Sequence, residues 1–262
     1  MTKPLHAGLV GRDGVTAVQL AQMGLTAGDQ VLEHPFGFTN VVLGEGIYDL
    51  DRMAENMGKP FRTQDALMIK KYPCCGGNHA MLDSLFSMMR DNDFTYDDVA
   101  DAEIDQSYFS VVMLYQEPED ELKGKFSAKY NVAAALIDGE IGIDTFTDEK
   151  IAEHNDKNTM DKVRTRVMAK SEELLTESGD GLKVKITLKD GRVFEHITAR
   201  EDILGSQKNP WGFDAIKEKF QENVSRVLSA NGTAKAIATW ENIPEMTDIA
   251  TAIRSTLVAE KS

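Results

Sequence analysis

Cysteine is almost missing from this 262-residue chain: there are two, and they are neighbours, Cys74 and Cys75. That rules out a disulfide framework and makes a reducing cytoplasm the natural compartment. Long apolar runs are missing as well. None approaches the ~18 residues needed to span a bilayer, and the opening Met-Thr-Lys-Pro-Leu-His lacks the apolar core of a signal peptide. Basic residues are scarce: 29 Lys and Arg against 43 Asp and Glu leave a formal charge of −14. Phosphate affinity needs a basic footprint, so the balance argues against nucleic acid as a partner and against docking on an anionic membrane. What is present is ordinary for a soluble globular protein, 42% hydrophobic and 27% charged, long enough for one substantial core or two modest domains.

The apolar rhythm of residues 7–23 predicts a helix closed by Gly24, and His34 to Gly46 reads as a Gly/Pro/Phe loop. Asp49 or Asp51 starts a short helix that stops at Gly58-Lys59-Pro60. Ala66 to Lys70 reads as a short strand, followed by Pro73-Cys74-Cys75-Gly76-Gly77-Asn78 and a strong amphipathic helix from Ala80 to Met89. Asp91 to Asp105 holds seven acids and no base, which predicts a short helix capped by Thr95 and then a solvated strand edge. Ser107 to Tyr115 is strand-like, and residues 126–138 form a helix with a small-residue face, closed by Gly139. Thr147 and Thr159 are expected N-caps. Leu182 to Leu188 alternates with period two, Asp190-Gly191 is a hairpin turn, and Arg192 to Thr198 returns. Asp214 is expected to cap a long helix to about Ala230, ended by Asn231-Gly232, with two more helices behind it. The fold class is therefore α+β: helical ends, residues 1–62 and 205–262, flank a smaller mixed domain at 63–204 inserted between them.

Three stretches are locally basic: Lys3, His6 and Arg12; Lys59, Arg62, Lys70 and Lys71; and Lys123, Lys125 and Lys129 beside Tyr130. A cleft gathering parts of them would attract a small polycarboxylate. Gly76 and Gly77 at a helix start leave backbone N–H groups bare for an anion. On a strand, Lys70 and Lys71 would point to opposite faces. Cys75 and His79, four apart, form a possible nucleophile pair, weighed against an inert buried thiol. Cys74, Cys75 and His79 suit zinc poorly, with no second cluster to complete it. His34, His154 and His196 read as surface residues, Trp211 and Trp240 as core anchors, and the methionines as core filler.

Several motifs, in order, resemble those of the MmgE/PrpD family of 2-methylcitrate dehydratases, cis-aconitate decarboxylases and iminodisuccinate epimerases. They are Lys3-Pro4-Leu5-His6-Ala7-Gly8, Lys70 to Ala80, Phe126-Ser127-Ala128-Lys129-Tyr130 with Ala134 to Gly139, Lys189-Asp190-Gly191, and Gly205 to Pro210. The resemblance implies a helical domain with a smaller α+β lid, and a cofactor-free site between them for small di- or tricarboxylates. The implied chemistry is proton abstraction beside a carboxylate, then loss of water or carbon dioxide, or reprotonation. Position by position, Lys3, Lys70 and Tyr130 match catalytic residues, and His6, Cys75, Gly76, Gly77 and His79 fall in substrate-binding motifs. Cys75 stands where some members have histidine. Family members carry a long helical segment before the first motif, whereas this chain begins at it. The expectation is thus a lyase subunit working with a separate N-terminal helical partner, a homo-oligomer, or both. An epimerase, or a non-catalytic carboxylate-binding subunit lacking the base, is the alternative. Either way an apolar face on residues 7–23 or 214–257 is expected to be exposed.

Overall fold

A computed structural model describes residues 2–59, 61, 67–107, 115–168 and 181–257. The chain divides into two compact units, residues 1–64 and 65–262. The first is helical: α1 (Thr2–Gln22), α2 (Phe38–Leu43) and α3 (Leu50–Ala54). Gly24 follows α1 with φ +95, where a side chain would be strained. Asp49 caps α3 by accepting the Arg52 N–H at 3.0 Å. The expected loop from His34 to Gly46 contains α2. Gly37 fits against the carbonyls of Val31, Leu32 and His34 with no room for a Cβ, and the Thr39 hydroxyl donates to the Leu32 carbonyl. These contacts fold the turn tightly enough to start a helix. Along α1, Val10 is 73% exposed and Val15 and Val18 are 60% exposed, so the expected bare apolar face is present.

Among the described residues, the second unit is built on a four-stranded sheet of β1 (Val99–Ser107), β2 (Val163–Met168), β3 (Gly181–Leu188) and β4 (Val193–Ala199), in the order β2-β1-β3-β4. β1 runs parallel to β2, with Ala102 beside Val163, and antiparallel to β3, with Ile104 opposite Val184. The β3–β4 hairpin closes as read from the sequence: Gly191 has φ +92 and its N–H donates to Leu188. One face of the sheet carries Ala102, Ile104, Leu182, Val184 and Ile186, all buried. Against it pack α4 (His79–Asn92) and α6 (Ala128–Asp138), while α5 (Glu121–Gly124) and α7 (Asp148–Asp156) support α6. α6 is apolar nearly all round, and Tyr130 to Leu136 are buried as such a helix requires. Its start is fixed by the Ser127 hydroxyl, its end by Gly139 at φ +72. Leu85 of α4 has no exposure; truncating it to alanine would cost about 2–5 kcal/mol.

The other face is charged. Arg164 makes a bidentate pair with Asp101, Arg166 with Asp105, and Lys185 meets Glu103 at 2.9 Å. β1 is therefore a central strand rather than the solvated edge its acids suggest, because its neighbours supply the counter-charges. Other differences are local. Residues 67–70 are not a strand; one backbone hydrogen bond, Ile69 N–H to Gly205 at 3.0 Å, holds them. Residues 108–114 of the expected 107–115 strand lie outside the described residues. Thr159 does not cap its turn; Asn158 precedes the turn in a left-handed conformation without a side-chain capping bond, and Thr159 is buried against His154, with 2.7 Å between its hydroxyl and Nδ1. His154 is itself buried rather than at the surface, on α7. The C-terminal helices are α8 (Phe213–Val224), α9 (Ala230–Glu241) and α10 (Ile249–Leu257). Asn231-Gly232 open α9 instead of ending α8, since the Ser229 hydroxyl takes the Gly232 N–H and caps the new helix. Trp211 is half-buried and Trp240 is 41% exposed. Neither anchors the core; Trp240 lines an open apolar groove with Phe213 and Phe220. No described helix is long and apolar enough to cross a membrane.

Candidate active site

The segment from Lys70 to His79 is held at both ends. Gly205, at φ +92, lies so close to the Ile69 carbonyl that a methyl group would overlap it. The loop behind is tied by Asn209, whose carbonyl accepts the Gly205 N–H at 2.8 Å and whose side chain donates to Asp202. Tyr72 donates to Asp83 at 2.8 Å, and the other Asp83 oxygen accepts the Leu204 N–H at 3.1 Å. At the far end the Lys125 carbonyl accepts both the Cys75 N–H, at 2.9 Å, and the Asn78 side-chain amide, at 3.2 Å. Between these ties the chain makes a 3-10 turn over Gly76–Asn78 and enters α4 at His79.

Lys70 lies along this turn. Its Cε is 3.8 Å from where a Cβ on Gly76 would stand, and its Nζ donates to the Cys74 carbonyl at 3.0 Å. His79 is completely buried, edge-on to Tyr72 at 5.2 Å, and neither ring nitrogen makes a hydrogen bond. Burial first, and then the Lys70 charge, push its pKa down to about 4, with Lys219 and Lys71 adding to the shift and the Tyr72 backbone opposing it. The ring is therefore neutral at pH 7, in the field of these lysines. Lys70, Lys71 and Lys219 have no carboxylate within ion-pairing distance among the described residues. By contrast Lys123, from the third basic stretch, is taken up by Glu119 and Asp120.

The structure thus brings together Lys70, Cys75, Gly76, Gly77 and His79. Strand alternation does not set the two lysines, because 67–70 is not a strand: Lys70 lies along the Gly76 turn and Lys71 beside the Tyr72 ring, and both charges press the His79 pKa down. Cys75 contributes its backbone; burial pushes the neighbouring Cys74 thiol up to about 12, away from reactivity at pH 7. Tyr130 is not in this group. It is fully buried on α6, its hydroxyl donates to the Thr145 carbonyl, and its ring meets Phe146 and His154. Burial, with the Asp138 and Glu153 charges, holds the phenol above its ordinary range. Lys3 and His6 stand one turn apart on α1 in the first unit. Sequence reasoning missed Lys219. It arrives from α8, 149 residues away, with its Nζ donating to the Lys70 carbonyl; no local motif announces it. Among the described residues no three His, Cys, Asp or Glu side chains gather to hold a metal.

A cationic turn at a helix start, built on Lys-Lys-Tyr-Pro-Cys-Cys-Gly-Gly-Asn-His, can be compared with known proteins. The MmgE/PrpD C-terminal domain pattern matches residues 72–242, more than half of the chain. The chain belongs to the MmgE/PrpD family. Among relatives, cis-aconitate decarboxylase of Mus musculus is 24% identical over 259 residues, covering 94% of this chain and 50% of that protein. Cis-aconitate decarboxylase of Homo sapiens is 26% identical over 258 residues, covering 94% and 51%. The chain spans about half the length of the curated MmgE/PrpD relatives it matches.

Proposed function

We propose that this chain is the C-terminal part or subunit of a cofactor-independent lyase acting on a small di- or tricarboxylic acid. The observation that carries this is His79: neutral, buried and unbonded, in the field of Lys70, Lys71 and Lys219, after the turn of Gly76 and Gly77. Unpaired ammonium groups around a neutral ring form a place whose missing element is an anion. The substrate carboxylate sits against the Gly76–Gly77 amides and Lys70. The proton leaves the adjacent carbon, and the negative charge that develops on the carboxylate is stabilised by the lysines. In a dehydration, hydroxide then leaves the next carbon and takes a proton as water; in a decarboxylation, which the relatives favour, the proton returns to carbon, carbon dioxide departs, and the electron pair it leaves takes up a further proton. The Lys70 chain, held by one hydrogen bond to Cys74, is the part that moves to admit substrate over His79. The abstracting base comes from a separate N-terminal helical polypeptide, a second copy, or both. The bare apolar residues of α1 and the open groove at Phe213, Phe220 and Trp240 support such a partner.

A second reading is a carboxylate-binding subunit without turnover. The position of Tyr130 favours it, since its hydroxyl is engaged inside the core. Titrating cis-aconitate by calorimetry tests the shared claim: saturable binding is expected, abolished in Lys70→Met with little change in thermal stability. Absence of binding, or unchanged affinity in that variant, overturns it. Turnover of cis-aconitate, 2-methylcitrate or iminodisuccinate by the protein isolated from its own cells, with native mass spectrometry of the same sample, separates enzyme from binder. A clean monomer in that sample counts against the partner.

A further inference from the structure

The carboxylate position at Lys70, Gly76 and Gly77 accounts for one negative charge. Beside it lies a cavity of about 470 Å3 that those residues do not line. Lys71, Tyr72, Trp211 and Lys219 wall it, and Glu140, Glu218 and Glu222 also reach it. Tyr72 is shared: one edge contacts His79, and its ring lies 5.0 Å from the Lys71 ammonium. The Lys219 ammonium lies 5.8 Å from the Trp211 ring and donates to the backbone carbonyl of Lys70. Two ammonium groups are thus held beside aromatic rings at the wall of one cavity.

Lys219 is the link between the two places. It touches the Lys70 backbone and also faces the cavity. Glu218 precedes it and Glu222 lies three positions on along α8, yet neither comes within ion-pairing distance. Burial, and then the Lys70 charge, press against its ammonium form, while Glu222 supports it. An incoming anion would relieve that pressure.

Resting on the reading of the cleft as a carboxylate site, we infer that Lys219, with Lys71, holds a second carboxylate of the substrate in this cavity and so selects polycarboxylates over monocarboxylates. Line-broadening NMR titrations of the full chain with cis-aconitate and with crotonate, its monocarboxylate counterpart, test it. Lys219→Met should weaken cis-aconitate about tenfold or more, the loss expected for a charge-assisted hydrogen bond. It should weaken crotonate much less, and Lys219→Arg should recover most of the affinity. If Lys219→Met leaves cis-aconitate unchanged, or weakens both ligands equally, Lys219 only braces the fold and the inference fails while the carboxylate site stands. If the folded wild-type chain broadens neither ligand, the carboxylate reading falls and takes this inference with it.

Discussion

Acid should loosen this protein through His79, and the burial of the ring sets the size of the effect. The imidazole is fully buried with neither nitrogen bonded. Its pKa lies at about 4 in the folded chain against an ordinary 6.5. Because the folded value is depressed, the unfolded chain binds more protons between those two values. Stability from this residue is therefore fully present above about pH 6.5 and is lost as pH falls toward 4. The whole loss is roughly 3 kcal/mol, of which about 2 kcal/mol falls between pH 7 and pH 5. Urea titration at those two pH values measures it. With a slope of about 2 kcal/mol per molar, the wild-type midpoint should drop by about 1 M from this source. His79→Asn removes the titration, so its midpoint should move less by that amount, whatever its stability at pH 7. His154 is also buried with a lowered pKa and acts in the same direction, so His154→Asn serves as the parallel control. Identical pH dependence in wild type and His79→Asn would refute the reasoning, because His79 would then be taking its proton without penalty. Cis-aconitate brings negative charge toward the ring and should reduce the acid loss at saturation.

Gly205→Ala would drive a methyl group into the Ile69 carbonyl at a positive φ. It should cost about 2–4 kcal/mol, lower the melting temperature by roughly 10 °C in calorimetry, and weaken cis-aconitate binding by displacing Lys70. An ordinary melting temperature would mean that the clamp gives way easily. Tyr130→Phe leaves the buried Thr145 carbonyl without its donor, and denaturant titration should show a loss of about 1–3 kcal/mol with cis-aconitate affinity unchanged. A collapse of turnover at unchanged stability would instead return Tyr130 to the chemistry.

Features set within a few residues could be read directly. Ser127 and Gly139 bracket α6 because a cap and a left-handed glycine act locally, and the β3–β4 hairpin follows from alternation and Asp190-Gly191. The second signature, with Lys70, Gly76, Gly77 and His79, could also be found, since those residues share one short turn. What distant chain supplies could not. The acids of β1 suggest an edge until Arg164, Arg166 and Lys185 arrive from both sides. Residues 66–70 have the composition of a strand, but the described residues 67–70 meet one loop residue, Gly205, so no ladder forms there. Lys219 joins the site only because α8 folds back onto Lys70. Tyr130 fits its motif, while its burial depends on Phe146 and His154, which no motif includes.

The place of β1 at the centre of the sheet has a consequence for biosynthesis. The ribosome makes β1 before either strand that flanks it. At ordinary translation speeds, Leu188 follows Ser107 by about 4–16 s. Both edges of the nascent strand lack partners until β2 is made, and one still does until β3 follows, a state that invites pairing with other chains. Asp101, Glu103 and Asp105 place a charge at every second position of that strand. The carboxylates that finally receive Arg164, Arg166 and Lys185 thus act first as gatekeepers of an unfinished sheet. Neutralising them should reduce the soluble yield from cells more than it reduces the stability of dilute, refolded protein.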